Sequence, residues 1–284
     1  MTDFATTETA PATALSDRPD VLRFLVPLYP RARRPFAIEG ARVVVGRAGG
    51  AAELSVDDPR MSRAHFEVKR ACAAELPAGA RHTVTDLSGE MVRRAGGRLG
   101  PNVEVLACDA ATLPFEDGAF DRALMNLMLM LTPDPSAVLA EVRRVLGPGG
   151  RLAFSVWGRA EHSPAFTLPP AAATRLGFET TGQALDNFWL GQREALIGRV
   201  RGHGFAQVRA WYQPLAMPIR DGATYVAVML ASPRMAAFTD AMPAPARDAY
   251  VRTLTELADA LLAEGHPLSL DILVVTAEVA APDR

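Results

Sequence analysis

The sequence predicts an α/β protein with a largely parallel sheet, preceded by a smaller β-rich segment. From about residue 21 to residue 88, short runs of branched and aromatic residues alternate with proline, glycine and charged clusters, as strands and turns do. After Ser88, strand-like runs instead alternate with helix-like runs. That alternation is typical of βαβ units, which build parallel sheets.

The N-terminal part of the chain divides into a tail and a β-rich segment. Residues 1–20 are rich in Thr, Ala, Pro and acidic residues, and we expect a disordered tail because they have little to bury. Four strand-like runs follow. They are VLRFLVPLY, RPFAIEGARVVVGR, HFEVKR and RHTVTDLS.

The clearest βαβ unit lies between residues 120 and 157. It opens with the apolar run FDRALMNLML, which is typical of a strand buried on both faces. Asp134 is then a suitable helix N-cap and Pro135 a suitable first helical residue, while Gly147 predicts the helix end. GPGG and the strand RLAFSVW complete the unit, and GEMVRRAGG and NVEVLACDA predict a helix and a strand before it.

The C-terminal part of the chain predicts further mixed structure. A strand is expected near Phe205–Tyr212, a helix over about 247–263, and a last strand at SLDILVVTAEV. The region of about 159–268 is expected to form a lid over a substrate. Its methionines favour a hydrophobic or amphipathic small substrate, and the alternative is that they only pack the lid against the sheet.

Composition narrows the range of functions. The 284 residues contain 30 Lys+Arg and 32 Asp+Glu, with a net charge of −2, which predicts no attraction to nucleic acid or to anionic membranes. Neither Cys72 nor Cys108 has the spacing of a metal ligand pair, so no metal is expected. The N-terminus lacks a signal-peptide core and the longest apolar stretch is too short to span a bilayer, so we expect a cytoplasmic protein.

Several motifs after residue 86 resemble one family. DLSGEM, NVEVLACDAATLPFEDGAFDRALM and DPSAVLAEVRRVLGPGGRLAFSVW follow one another in order, and HGFAQVRAW and HPLSLDILVVTAEV continue the likeness. Together they resemble class I S-adenosylmethionine (SAM) methyltransferases of the small-molecule, ubiquinone-biosynthesis-like type (type 11). The resemblance implies a Rossmann-like sheet over residues 86–284, SAM as cofactor and a small-molecule methyl acceptor.

The resemblance also implies positions for the site residues. Asp86 and Asp109 end the second and third strands of the family's sheet, where they would accept hydrogen bonds from the ribose and from adenine. Met91 would offer an apolar face to adenine. The alternative for both acids is that they only cap a turn, and the alternative for Met91 is that it packs in the core. No catalytic residue is predicted. The full predicted set is Asp86, Met91, Asp109, Ala110 and Asn126 for the cofactor, and Met128 and Trp157 for the substrate.

Residues 21–85 resemble a different family, the forkhead-associated (FHA) domain, a small β-sandwich. VVVGR at 43–47 and DDPRMSRAH at 57–65 are its motifs here. The resemblance implies that Arg47, Ser62 and Arg63 bind a phosphothreonine, because arginine pairs well with phosphate. The partner would be a phosphothreonine protein or the chain's own N-terminal tail. Since the later FHA strands are missing, the module is expected to be truncated.

The methyltransferase pattern is also incomplete, because no G-x-G-x-G turn lies about twenty residues before Asp86. The sequence therefore predicts a sheet that lacks its first strand and glycine motif. A single-domain alternative takes ARVVVGRAGGAAEL as a degenerate first strand and turn, with Gly46, Gly49 and Gly50.

Three functional hypotheses follow. The first is SAM-dependent methylation of a small molecule by a chain with an N-terminal phosphothreonine-binding module. The second is a non-catalytic phosphothreonine-binding adaptor with an inactive methyltransferase-like domain. In the third, neither half functions, because truncated sheets expose edges and apolar faces.

Overall fold

The structure, a computed structural model, describes residues 22–25, 36–39, 42–47, 81–96, 103–178, 187–217 and 219–280. Strands β1 (Leu22–Leu25) and β2 (Phe36–Glu39) pair with each other in antiparallel fashion. The other strands form one seven-stranded sheet. They are β3 (Arg42–Arg47), β4 (Arg81–Asp86), β5 (Val103–Ala107), β6 (Phe120–Asn126), β7 (Leu146–Trp157), β8 (Phe205–Ala216) and β9 (Ser269–Val279).

The strand order of this sheet is β5-β4-β3-β6-β7-β9-β8. Strands β3 to β7 are parallel, whereas β9 runs antiparallel to both of its neighbours. The chain moves outward from β3 to β5 and then returns to the other side of β3 as β6. This reversal is the switch point of a doubly wound sheet, where open α/β sheets bind their ligands. The predicted Rossmann-like sheet is thus confirmed as a fold.

The prediction that this sheet lacks its first strand is corrected. Val43–Val45 pair in parallel with His82–Val84 on one side and with Arg122–Leu124 on the other. The segment VVVGR therefore occupies the centre of the sheet, as the single-domain alternative expects, and the sheet starts before residue 86. Branched residues favour a strand in either family, and the parallel partners distinguish the two.

Seven helices lie in the described part of the chain. They are α1 (Gly89–Gly96), α2 (Pro135–Val145), α3 (Pro164–Arg175), α4 (Arg193–Gly202), α5 (Gly222–Leu230), α6 (Pro233–Asp240) and α7 (Ala244–Ala263). None of these helices is long and apolar enough to cross a membrane.

Helix α2 begins where the sequence predicts. The Asp134 side chain accepts hydrogen bonds from the main-chain N–H groups of Ser136 and Ala137, and Pro135 occupies the first turn. The strand after it starts earlier than predicted, since Leu146 already pairs with Phe120. The GPGG segment is therefore part of β7, with Gly149 in the left-handed region at φ +73°.

Two hydrophobic clusters stabilise the described residues. The sheet core lies between the sheet, α2 and α4. Its largest fully buried members are Phe120, Phe154, Met128, Leu129, Leu139, Leu146, Leu152 and Leu196. The lid core joins α3, α5 and α7. Its fully buried members include Tyr225, Tyr250, Leu254 and Leu268.

Candidate cofactor and acceptor site

The carboxyl ends of the parallel strands meet at one edge of the sheet. Asp86, the last residue of β4, lies opposite Arg47 of β3 and Ala107 of β5. Asn126, the last residue of β6, lies opposite Ser155 of β7. The register therefore brings most of the sequence-predicted residues to the same edge, close to the switch point between β3 and β6.

Asp86 is a nearly buried carboxylate, with 3% of its surface exposed. Its Oδ1 accepts a hydrogen bond of 2.9 Å from the Ser88 N–H, and its main-chain oxygen accepts one of 3.1 Å from the Cys108 N–H. The first contact fixes the turn after β4, and the second connects this turn to the end of β5. The carboxylate thus lies at the end of a parallel strand, at the edge where open α/β sheets bind ligands.

Asp109 makes the same kind of turn at the end of the neighbouring strand. Its Oδ1 accepts a hydrogen bond of 2.9 Å from the Ala111 N–H, and Ala110 beside it is buried. The capping alternative thus describes a real contact of both acids. A carboxylate can accept several hydrogen bonds at once, so capping and ligand binding are compatible at one group.

Cys108 lies between the two acids. Partial burial raises the pKa of its thiol to about 11, and the nearby charges of Asp109 and Asp86 act in the same direction, whereas a hydrogen bond with Thr85 opposes them. At neutral pH the thiol is therefore protonated and a poor nucleophile. Cys72 lies outside the described residues.

Met91 lies in the first turn of α1. Its N–H donates a hydrogen bond of 3.3 Å to Ser88 Oγ, which caps the start of this helix. The side chain is half-buried. It is therefore neither fully buried nor fully exposed, and its contact with a cofactor stays a prediction.

The end of β6 has an unusual backbone. Leu127 has φ +49°, a conformation that costs a leucine on the order of 1–3 kcal/mol and is common at functional sites. Ser155 Oγ holds this turn, because it accepts from the Leu127 N–H at 3.1 Å and donates to Asn126 Oδ1 at 2.7 Å. Sequence analysis missed the roles of Leu127 and Ser155, since both depend on the pairing of β6 with β7.

The two predicted substrate residues are both buried members of the sheet core. Met128 is 0% exposed and Trp157 is 4% exposed. Trp157, at the end of β7, packs edge-to-face on Phe166 at 4.9 Å between ring centroids, and Phe166 in turn contacts Phe188 at 6.2 Å. Trp157 thus belongs to a group of aromatic rings that begins at the sheet edge and extends to α3.

Sequence analysis also missed a charged pair at this edge. Arg159, two residues after Trp157, forms an ion pair of 2.8 Å with Asp271 of β9. The available signal was an acid at an inward-facing position of the alternating run SLDILVV. Its partner could not be identified, because 112 residues separate the two side chains along the chain.

The predicted phosphothreonine residues are placed only in part. Arg47 is the last residue of β3, whereas Ser62 and Arg63 lie outside the described residues. Among the described strands, β1 and β2 are the two that lie outside the seven-stranded sheet, and they pair with each other. The FHA-like sandwich and its phosphothreonine site therefore stay a prediction.

Comparison with known families adds a match for the central part of the chain. Residues 68–154 match the sequence profile of a family described as a methyltransferase domain. This segment includes β4, β5, β6 and α2, and most of β7. The match confirms the prediction of a methyltransferase domain in this part of the chain.

Curated relatives match over short segments. The chain is 51% identical over 69 residues to an uncharacterized 37.1 kDa protein in a transposon of Streptomyces fradiae, which is 24% of this chain and 20% of that protein. It is 42% identical over 73 residues to a ubiquinone/menaquinone biosynthesis C-methyltransferase of Desulfotalea psychrophila, which is 25% of this chain and 30% of that protein. The matched segments thus span less than a third of either relative.

Among solved structures, Haemonchus contortus phosphoethanolamine N-methyltransferase 2 is a more distant match. It has 15% sequence identity and a TM-score of 0.45, and the alignment covers 85% of this chain and 49% of that one.

Proposed function

We propose that this chain is a SAM-dependent methyltransferase that acts on a small molecule. The main support is the placement of Asp86 and Asp109 at the carboxyl ends of adjacent parallel strands, next to the switch point of the sheet. The methyltransferase domain match covers the same residues.

In this proposal each residue at the edge has a separate task. Asp86, nearly buried at the end of β4, accepts from the ribose hydroxyls. Asp109 accepts from the adenine amino group, Ala110 allows close approach, and Met91 contacts the ring face. Asn126, held by Ser155, contributes an amide beside the transferred group.

Arg47, the last residue of β3, lies opposite Asp86 at the cofactor edge. We propose that the glycines around this position in the sequence, Gly46, Gly49 and Gly50, take the place of the glycine turn that the sequence otherwise lacks, because glycine permits close approach of the backbone to a ligand.

SAM supplies an activated methyl group on a sulfonium, so the protein has to position the acceptor and exclude water. The rings of Trp157, Phe166 and Phe188 form an apolar cluster at this edge, and Phe166 is its partly exposed member. An apolar or amphipathic acceptor fits a contact with this ring. A relative named for C-methylation in quinone biosynthesis agrees with such an acceptor.

The test is calorimetric titration with SAM and with S-adenosylhomocysteine. We expect binding by the wild type and a loss of affinity of about tenfold to hundredfold in Asp86→Asn and in Asp109→Asn, since a hydrogen bond to a charged group contributes about 1.5–3 kcal/mol. Asparagine can still accept from the main-chain N–H of each turn, so these variants should retain the local structure.

The matched control is Asp121→Asn. Asp121 is exposed and lies near the amino end of β6, away from the proposed site. The affinity of the Asp121→Asn variant for SAM should equal that of the wild type. Wild-type affinity in both the Asp86 and Asp109 variants would contradict the site. Absence of binding by a well-folded wild type would contradict the function and favour the non-catalytic, phosphothreonine-binding adaptor, which titration with phosphothreonine peptides then tests.

A further inference from the structure

Arg159 is held in one orientation at the sheet edge. Its Nε–H donates a hydrogen bond of 2.8 Å to Asp271 Oδ2, and its main-chain N–H donates one of 3.0 Å to the same oxygen. The face of its guanidinium lies 4.0 Å from the centroid of the Tyr212 ring. An arginine side chain normally loses much rotamer freedom on ordering, and here these contacts have already ordered it.

The groups around Arg159 are themselves fixed. The buried Ser163 Oγ accepts from the Asp271 N–H at 2.9 Å and donates to the Arg159 main-chain oxygen at 2.9 Å. The Tyr212 hydroxyl donates to the Gly191 oxygen at 2.9 Å. The Arg159 side chain is thus held by residues of β8 and β9, by the residue at the start of α3 and by the segment after β7.

The two terminal nitrogens of Arg159 remain available. In the described structure neither of them has a hydrogen-bond acceptor, and the side chain is 33% exposed. A guanidinium whose Nε is occupied still presents two parallel donors at its far end. These match the two oxygens of a carboxylate.

Burial of Asp271, the ion-pair partner of Arg159, costs free energy. Its side chain is only 1% exposed, and within the described residues its Oδ1 has no hydrogen-bond partner. Burying a carboxylate with one oxygen unsatisfied is unfavourable, and packed apolar residues could join the lid to the sheet at lower cost. The presence of this ion pair is explained if its role is to orient Arg159 towards a ligand.

Aromatic rings lie close to Arg159 along the chain. Trp157, two residues before it, is buried with 4% of its surface exposed, and its ring packs on the partly exposed Phe166. Phe188, also buried, extends the same group of rings. Phe166 is therefore the member of this group that a ligand can contact.

We propose that Arg159 binds a carboxylate group of the methyl acceptor, whose apolar part packs on Phe166. Asp271 and Tyr212 are positioning residues that orient the guanidinium. The acceptor class is then an amphipathic carboxylate with an apolar, ring-sized body. This inference rests on the proposed methyltransferase function, because it names the substrate of that same site.

The experiment compares two probes of nearly equal shape, benzoate and the neutral benzamide. Each is titrated into protein saturated with S-adenosylhomocysteine. The wild type should bind benzoate at least about tenfold more tightly than benzamide, since paired hydrogen bonds between charged groups are roughly twice as strong as neutral ones. Arg159→Gln should abolish this preference, and Asp271→Asn should reduce it by releasing the guanidinium.

Arg151→Gln is the matched control. Arg151 lies in the middle of the same strand β7 in an exposed ion pair with Glu278, so its loss should leave the preference unchanged. Arg159→Gln leaves Asp271 buried without its counter-charge. The double variant Arg159→Gln/Asp271→Asn removes both charges and should also show no preference, while it still binds S-adenosylhomocysteine.

The outcomes separate the two proposals. Equal affinity of the wild type for benzoate and benzamide, or a preference that persists in the double variant, would overturn the carboxylate site and leave cofactor binding intact. Failure of S-adenosylhomocysteine to bind the wild type would overturn the proposed function, and the acceptor inference with it. A purely structural role of the pair predicts lower stability and an unchanged preference.

Discussion

The sheet core is built mainly from aliphatic side chains, whereas the lid core surrounds two buried tyrosines. The sheet core contains leucines of β7 and α2 together with phenylalanines of β6 and β7, side chains that carry no hydrogen-bonding groups. In the lid core, the Tyr225 hydroxyl donates to the Ala165 oxygen at 2.8 Å and the Tyr250 hydroxyl donates to the Pro169 oxygen at 3.2 Å. Both oxygens belong to α3.

This difference indicates how each region is specified. Apolar burial is proportional to area and tolerates small shifts, so it stabilises the sheet without fixing one precise arrangement of neighbours. A buried hydroxyl requires its partner, because loss of that partner leaves a polar group unsatisfied. The position of α5 and α7 relative to α3 is therefore set by directional contacts, and the lid should be more sensitive to changes in single polar atoms.

The largest expected effect is on the sheet core. Leu139→Ala removes a fully buried side chain of α2 and should lower the free energy of unfolding by about 2–5 kcal/mol, as large-to-small core substitutions do. Chemical denaturation measures this change. The same substitution at Leu87, which is 41% exposed, should alter stability by less than about 0.5 kcal/mol. Equal effects of the two substitutions would contradict the assigned core.

A smaller effect is expected in the lid. Tyr225→Phe keeps the buried ring but leaves the Ala165 oxygen without its donor, so it should lower the free energy of unfolding by about 1–3 kcal/mol. Affinity for S-adenosylhomocysteine should stay within about twofold of the wild type, because the substitution is remote from Asp86 and Asp109. A large loss of cofactor affinity would show that the lid and the cofactor edge are coupled.

The same tyrosines predict an alkaline sensitivity of the lid. Burial raises the pKa of Tyr250 to about 12 and raises that of Tyr225 further above its ordinary value of 10.0. Since the folded-state pKa is the higher one, the contribution to stability is complete below pH 10 and is lost as the pH rises through the folded-state values. Tyr225→Phe should therefore reduce the loss of stability above pH 10, which denaturation at pH 9 and pH 11 would detect.

Local signals predicted the parts of this structure that depend on neighbouring residues. The start of α2 depends on Asp134 and Pro135 alone, and it lies where the sequence predicts. The acids at the ends of β4 and β5 were named from the methyltransferase resemblance, and the structure places Asp86 at the end of β4 and Asp109 two residues after β5.

Features that depend on contacts between residues far apart in the sequence were not predictable in the same way. VVVGR is a suitable strand in either family, and only its parallel pairing with β4 and β6 identifies it as the centre of the sheet. Arg159 and Asp271 contact each other although 112 residues separate them along the chain. The turn at Leu127 depends on a serine in the next strand.

Hydrogen exchange with and without S-adenosylhomocysteine tests the central claim most directly, namely that the cofactor lies across the ends of β3, β4 and β5. We predict that the ligand slows exchange in peptides covering residues 42–50, 81–96 and 103–112, because binding there orders the turns after these strands. Peptides covering residues 222–263 of the lid should change little. Slower exchange confined to the lid, or no change anywhere in a folded protein, would contradict the account.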